Sequence, residues 1–235
     1  MQNKQTVLKI LQPVSVVAAI GLLILFALLR VQQTAVLSIL IIVLAMVPFF
    51  LRFERLRPKA RDIVPIVVMS VIASLGRAVF TFAPNIQPVT AIVIVSGIVF
   101  GSQAGFLTGA LTALTSNMFM GQGPWTPWQM LAWGLIGWAA GLLQKTPVFK
   151  RDVFVFIYGF IASFMFGWIM NIWHVIGFAQ GSGWEAFAVI FGSSVYFDLT
   201  HAISTTVFLG LVLIPWRKKL ARIKLKYGMD YTHSM

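Results

Sequence analysis

Long apolar runs separated by short polar or basic stretches fill almost the whole chain. Eight such segments stand out, at roughly 13–30, 35–51, 63–82, 88–100, 102–119, 128–143, 153–176 and 188–215. A membrane-spanning helix needs about 20 residues, within a range of about 17–25. The fourth segment is short for that purpose, which suggests a tilted or re-entrant helix or a thin part of the fold. Gly101 and Ser102 leave almost no loop between the fourth and fifth segments, so these two predict a tight helical hairpin.

Charge tests this layout. Lys4 and Lys9 precede the first segment, and Arg52, Arg55, Arg57, Lys59 and Arg61 follow the second. Lys145, Lys150 and Arg151 separate the sixth from the seventh. Arg217, Lys218, Lys219, Arg222, Lys224 and Lys226 follow the eighth. An eight-span topology therefore puts sixteen of the 18 basic residues on one side, leaving Arg30 and Arg77 elsewhere. Positive charge is retained on the cytoplasmic side, so both termini are expected there. Seven spans would break the pattern, so the fourth segment is expected to cross.

Composition agrees, with 59% hydrophobic and 10% charged residues, whereas soluble domains carry roughly 25% charged residues. The expected fold class is all-α, a polytopic helical integral membrane protein. The net charge of +12 then reflects topology and lipid headgroups rather than nucleic acid. No cysteine is present, which excludes disulfides and thiolate chemistry. Lysines precede the first apolar run with no small-residue cleavage site after it. A retained helix is expected there rather than a signal peptide.

The stretch from Asn117 to Gly134 departs from an ordinary loop. Gly121, Gly123, Pro124 and Pro127 forbid a continuous helix. Trp125, Trp128 and Trp133 crowd it, and Asn117, Gln122 and Gln129 add amides. Such a turn suits holding a flat polar ligand, although an interfacial Trp belt has the same composition. The topology carries Arg77, Asn117, Asn171 and His174 to outer helix ends. Asp198 and His201 fall in the outer half of the last segment or near its middle, with Trp184 and Glu185 in the loop before it. Ionisable groups inside a membrane face a cavity or a partner, because lipid exposure costs several kcal/mol.

Ser194, Asp198, His201 and Thr205 share one helical face. They suit either a ligand pocket or a polar clasp between helices, with Arg77 a candidate partner for Asp198. Thr108, Thr112 and Thr115 form a weaker stripe, expected to bond their own backbone. Gly101, Gly105 and Gly109, and Gly137 with Gly141, mark close helix contacts. Ser70 and Ser74 suit an internal seam or a docking face.

No P-loop, HExxH or Gly-x-Ser-x-Gly motif occurs. His174, Asp198 and His201 are thin support for a metal, and none is expected. Asp198 and Glu185 are 13 positions apart, about 20 Å along a helix, too far for paired acid–base work.

Several runs carry a resemblance. They are Gly76-Arg77-Ala-Val-Phe80, Pro84-Asn85-Ile-Gln-Pro88-Val-Thr90, Ser96-Gly97-Ile-Val-Phe-Gly101, Gly105-Phe-Leu-Thr-Gly109-Ala110 and Gly121-Gln-Gly-Pro-Trp125-Thr-Pro-Trp-Gln129. Together they resemble the substrate-binding S components of energy-coupling factor (ECF) vitamin transporters, and look most like the cobalamin branch. The resemblance spans roughly 61–215. It implies a six-helix core in segments three to eight, with two added helices in 1–60 and a basic cytoplasmic tail in 216–235. It implies capture of a vitamin outside a bacterial cytoplasmic membrane. Delivery follows docking on a transmembrane coupling subunit driven by two cytoplasmic ATPase subunits. The chain itself would be no enzyme and need no cofactor, cobalamin being the transported ligand. Family docking motifs map to Ser70, Ala73 and Ser74, where serines replace two of the usual alanines.

A corrin is large, flat and rimmed with amides, so six helices would enclose it poorly. The expected site is near the surface, built largely from loops, drawing on Arg77, Asn85, Asn117, Gln122, Trp125, Trp128, Gln129, Asn171, His174, Asp198 and His201. Riboflavin or a queuosine precursor is the alternative ligand. An intramembrane enzyme using His174, Asp198 and His201 is the alternative of another class.

Overall fold

In the computed structural model, which describes residues 2–28, 34–178 and 183–228, each apolar segment becomes an α-helix. They are α1 (Gln2–Leu28), α2 (Thr34–Arg55), α3 (Ala60–Val79), α4 (Val89–Phe100), α5 (Ser102–Met120), α6 (Thr126–Leu143), α7 (Asp152–Phe178) and α8 (Gly183–Lys226). A 3-10 turn at Val148–Lys150 precedes α7. No strand occurs among the described residues. Arg30 and residues 229–235 lie outside the described residues. Among the described residues five helices, α1, α2, α3, α7 and α8, are long and apolar enough to cross a membrane. The protein is a polytopic helical membrane protein.

The short fourth segment is the hub. Its 12 residues, Val-Thr-Ala-Ile-Val-Ile-Val-Ser-Gly-Ile-Val-Phe, are all buried. A helix apolar on every side belongs inside a bundle, and α3, α5, α6, α7 and α8 all pack around it. At about 18 Å it needs no lipid-facing length of its own. Gly101 alone joins α4 to α5, at φ 94°, a conformation that glycine adopts without a Cβ clash. It serves the turn, and a Cβ there would meet nothing.

Lipid offers helices no hydrophobic gain from meeting each other, so backbone approach and dispersion do the work. Gly97 of α4, Gly105 of α5 and Gly137 of α6 supply that approach. A Cβ on Gly97 or Gly105 would strike the Gly137 carbonyl, and one on Gly137 would strike the Gly105 carbonyl. Gly109 lies equally tight on the Trp133 backbone, and Gly141 on Ser102.

Polar seams fasten the remaining helices. Ser70, Ala73 and Ser74 are buried within the monomer, and Ser70 and Ser74 meet α5. Ser70 Oγ donates to the Ile66 carbonyl at 2.7 Å and reaches the Thr108 carbonyl at 3.3 Å. Ser74 Oγ meets Thr115 Oγ1 at 2.6 Å. Small side chains let α3 sit this close, and their hydroxyls need acceptors in a dry interior. Val64, Val68, Val71 and Leu75 occupy the open face of α3. Thr112 and Thr115 bond their own helix backbone, at 2.6 and 2.7 Å, while Thr108 bonds Ser96 at 2.8 Å.

The α1–α2 hairpin leans on α5 and α6. Phe49 is fully buried and stacks on Phe106 with centroids 4.0 Å apart. Buried amides bolt it in place: Gln12 Nε2 donates to Gln103 Oε1 at 3.0 Å, and Gln103 Nε2 donates to the Phe49 carbonyl. The last helix continues through Pro215 to Lys226, so the basic run after the apolar segment stays helical. Trp184 and Glu185, expected in a loop, form its first turn.

Gly137→Val tests the glycine contact. Overpacking costs about 1–3 kcal/mol, so its unfolding midpoint in detergent should fall clearly. Gly192→Ala, where a Cβ meets nothing, should hold or slightly raise the midpoint.

Candidate ligand-binding site

The end of the bundle opposite the basic residues gathers the polar groups. Arg77, near the end of α3, donates through Nη1 to Ser116 Oγ and Asn117 Oδ1, both at 2.7 Å. Its guanidinium lies 5.1 Å from the Trp133 ring centroid, a cation–π geometry. Neither of these acceptors is a carboxylate. Its buried Nε finds no acceptor.

Asn117 passes this anchor to the Trp-rich turn. Its Nδ2 donates to Thr126 Oγ1 at 2.9 Å and Gln129 Oε1 at 2.8 Å. Thr126 in turn donates to Gln122 Oε1 at 2.9 Å, and Gln122 Nε2 reaches back to the Leu114 carbonyl at 2.9 Å. Asn117 is 1% exposed and spends both ends of its amide on protein partners. The turn between α5 and α6 is thus braced from beneath. Gly123 lies so close under the Trp125 indole that a Cβ would collide with the ring. Trp125 stays 38% exposed, whereas Trp128 is 2% exposed. Trp128 packs beside Trp173 with centroids 6.3 Å apart, and its indole Nε1 has no acceptor.

Beneath this layer, Trp133 Nε1 donates to Thr90 Oγ1 at 3.1 Å, and Thr90 meets His201 Nε2 at 2.9 Å. Phe166 stacks on Trp133 at 4.5 Å and meets His201 edge-on at 5.3 Å. His201 is therefore a buried link between α4 and α8. The rest of the α8 stripe closes on α7. Asn171 Nδ2 donates to Ser194 Oγ at 2.7 Å, Ser194 donates to Asp198 Oδ2 at 3.1 Å, and Ser163 donates to Thr205 at 2.8 Å. Gly167 makes room for the Asp198 carboxyl. A clasp forms, but its partner is α7 rather than Arg77.

His174 is exposed on α7. No three His, Asp or Glu side chains converge on a metal-holding geometry among the described residues. Asn85 adopts φ 61°, which asparagine tolerates, and its Nδ2 lies 3.4 Å from the Phe197 carbonyl. Pro88 packs its ring against Gly76. These contacts hold the α3–α4 connection against α8 and α3.

The site residues fall into two layers. Asn117, Trp128, Gln129, Asp198 and His201 are buried, mostly in internal bonds. Arg77, Asn85, Gln122, Trp125, Asn171 and His174 reach solvent in part or fully. Ser116, Thr126, Phe166 and Trp173 complete the framework without a motif of their own. Thr126 is the one with a readable signal, a hydroxyl between amides in a proline-fixed turn.

A family model described as ECF-type riboflavin transporter, S component, matches residues 59–220. The chain belongs to the ECF transporter S-component family. The match takes in α3 to α7 and most of α8, and leaves the α1–α2 hairpin outside. S components are vitamin-binding transport subunits rather than enzymes, and they work with a coupling membrane subunit and ATPases. The polytopic fold of this S component agrees with that role. No solved structure matches the chain.

Asn117→Leu tests the brace. It leaves Gln129 Oε1 without its donor and removes one acceptor from Arg77, and each unsatisfied buried group costs about 1–3 kcal/mol. The unfolding midpoint should drop, and hydrogen exchange should quicken at 121–126. Gln122→Ala, at an exposed position, should leave the midpoint nearly unchanged.

Proposed function

We propose that this S component captures cobalamin at the outer face of a bacterial cytoplasmic membrane and hands it inward by docking on the coupling subunit with its two ATPases. The observation that carries the reading is a pair of buried, unpartnered donors at the Trp-rich end, Arg77 Nε and Trp128 Nε1. Buried donors in folded proteins nearly always find acceptors. Acceptors brought by a ligand rich in carbonyl, amide or phosphate oxygens would satisfy them. The partly or fully exposed Trp125, Gln122, Asn85 and His174 would offer stacking surface and polar groups. Trp128, Trp133, Phe166 and Trp173 fill the interior beneath, which favours a broad ligand held at the rim over a small one swallowed by the bundle.

Riboflavin is the second reading, and the description of the matching family model favours it. Its flat ring system would stack on Trp125, with carbonyl groups toward Arg77. Equilibrium binding to the purified protein separates the two. Nanomolar cobalamin binding with no riboflavin binding is expected. Riboflavin binding without cobalamin binding would reverse the assignment and leave the family intact.

Trp125→Ala should weaken binding by about 1–3 kcal/mol, the usual range for removing an aromatic stacking partner of a ring, with an unchanged unfolding midpoint. Unaltered affinity in the folded variant would take the loop out of the site.

A further inference from the structure

One side of α8 changes character along its length. Val207, Leu211 and Ile214 are exposed and apolar, a lipid-facing stripe. The same spacing of three and four residues leads on to Lys218, Arg222 and Leu225, which are exposed as well. Lys219 and Lys226 are exposed beside them. The helix runs unbroken through Pro215 to Lys226, and no acidic residue occurs between Asp198 and Gly228. Where an exposed apolar stripe gives way to lysine and arginine, a helix leaves hydrocarbon for the level of the headgroups.

The other side of this tail is fastened to the protein. Leu213 is buried, and Trp216 and Leu220 pack against the core. Arg217 Nη1 pairs with Asp152 Oδ1 at 2.9 Å, at the start of α7. Lys224 Nζ donates to the Val99 carbonyl at 3.0 Å, where α4 ends and its last carbonyls lack intrahelical partners. Leu213, Trp216, Leu220 and Lys224 are three, four and four positions apart, so they share one helical face. These contacts fix how the tail is rotated about its own axis. Lys218, Lys219 and Arg222 are therefore turned away from the protein, with no hydrogen bond or ion pair to any described residue. Charge retention on one membrane side accounts for basic residues at this end. It does not require them on one side of a docked helix, in line with a lipid-facing stripe.

We propose that Lys218, Lys219, Arg222 and Lys226 form a binding surface for the headgroup phosphates of anionic lipids, presented by the α8 tail as a rigid continuation of its lipid-facing side. The Arg222 guanidinium suits two phosphate oxygens at once, and the lysines act as point charges around it. Basic residues on a helix just beyond the membrane attract anionic headgroups in this way. Because the tail is already docked through Trp216, Arg217, Leu220 and Lys224, little of the backbone has to be ordered when a headgroup binds. Continuity with the Val207–Leu211–Ile214 stripe places the same lipids alongside, which favours a membrane over a soluble partner.

The full-length protein in mild nonionic detergent is titrated with phosphatidylglycerol and with phosphatidylcholine. Bound lipid is read by native mass spectrometry, and the fold by the unfolding midpoint without added lipid. Phosphatidylglycerol should bind about tenfold or more tightly than phosphatidylcholine, and the preference should shrink as salt rises. Lys218→Gln with Lys219→Gln and Arg222→Gln should lose about that tenfold preference and keep the lipid-free midpoint. Lys218→Arg with Lys219→Arg and Arg222→Lys, which retains the charge, should keep the preference. Arg57→Gln with Lys150→Gln and Arg151→Gln, the same charge change on exposed connections at this end, should keep it too. Equal preference in the wild type and the neutralised tail, or an equal loss in both neutralised variants, overturns the proposal. So does a wild type that binds the two lipids alike, which would leave the face to another partner such as an acidic protein surface.

Discussion

Three glycines from three helices, Gly97, Gly105 and Gly137, meet where no side chain fits. That backbone contact is the constraint from which the rest of the bundle follows. It fixes the spacing of α4, α5 and α6, and with it the depth at which α6 delivers Trp128, Gln129 and Trp133. Those side chains reach Asn117, Thr90 and Arg77 only because α6 lies this close to α5 and α4. In lipid such a contact must succeed through dispersion and close fit, since burial away from water supplies little. The same closeness makes α4 a fully enclosed rod, and α7 and α8 then complete its wall.

The Trp-rich end shows how a charge is kept in such a setting without a counter-charge. Arg77 is held by a hydroxyl, an amide oxygen and an indole face. Each is a partial solvent for a guanidinium. The arrangement preserves positive potential at the site instead of cancelling it. An Asp in place of Asn117 would neutralise that potential, whereas the amide relays the anchor on to Thr126 and Gln129. The proline-fixed turn inherits its rigidity from this relay. On the proposed reading, function and stability are not separable at Asn117, while at Trp125, outside the relay, they are.

Much of this fold is legible in the residues. Each of the eight apolar runs corresponds to one α-helix among the described residues, because lipid forces backbone satisfaction into helices and makes the signal long. Gly101 as a single-residue turn was readable from the absence of any polar gap. The seam role of Ser70 and Ser74 was not decided by spacing, because small residues at i and i+4 serve an inner or an outer contact equally well. Asp198 was given a partner across the bundle, yet α7 supplies Asn171 and Ser194 lies on its own helix. Periodicity says which residues share a face, but not which neighbour that face meets. The layering of the site was also invisible: Trp125 and Trp128 look alike in sequence, and one turn of helix separates a rim residue from a core residue.

The two ends of the molecule solve opposite problems with the same chemistry. At one end Arg77 is held among a hydroxyl, an amide oxygen and an indole face, and at the other Arg52 is held by the side-chain amide of Gln12. In both places one guanidinium NH, on Arg77 and on Arg52, remains buried and without an acceptor. Protein groups satisfy everything around these two atoms, through Ser116 and Asn117 above and through Gln12 below. Such donors are rare in folded proteins, and a water, an ion or a ligand can supply the missing acceptor. The added α1–α2 hairpin contributes nothing to the upper donor and supplies the lower one. Its buried polar contacts, through Gln12 and Arg52, therefore lie at the basic end of the bundle rather than at the Trp-rich end.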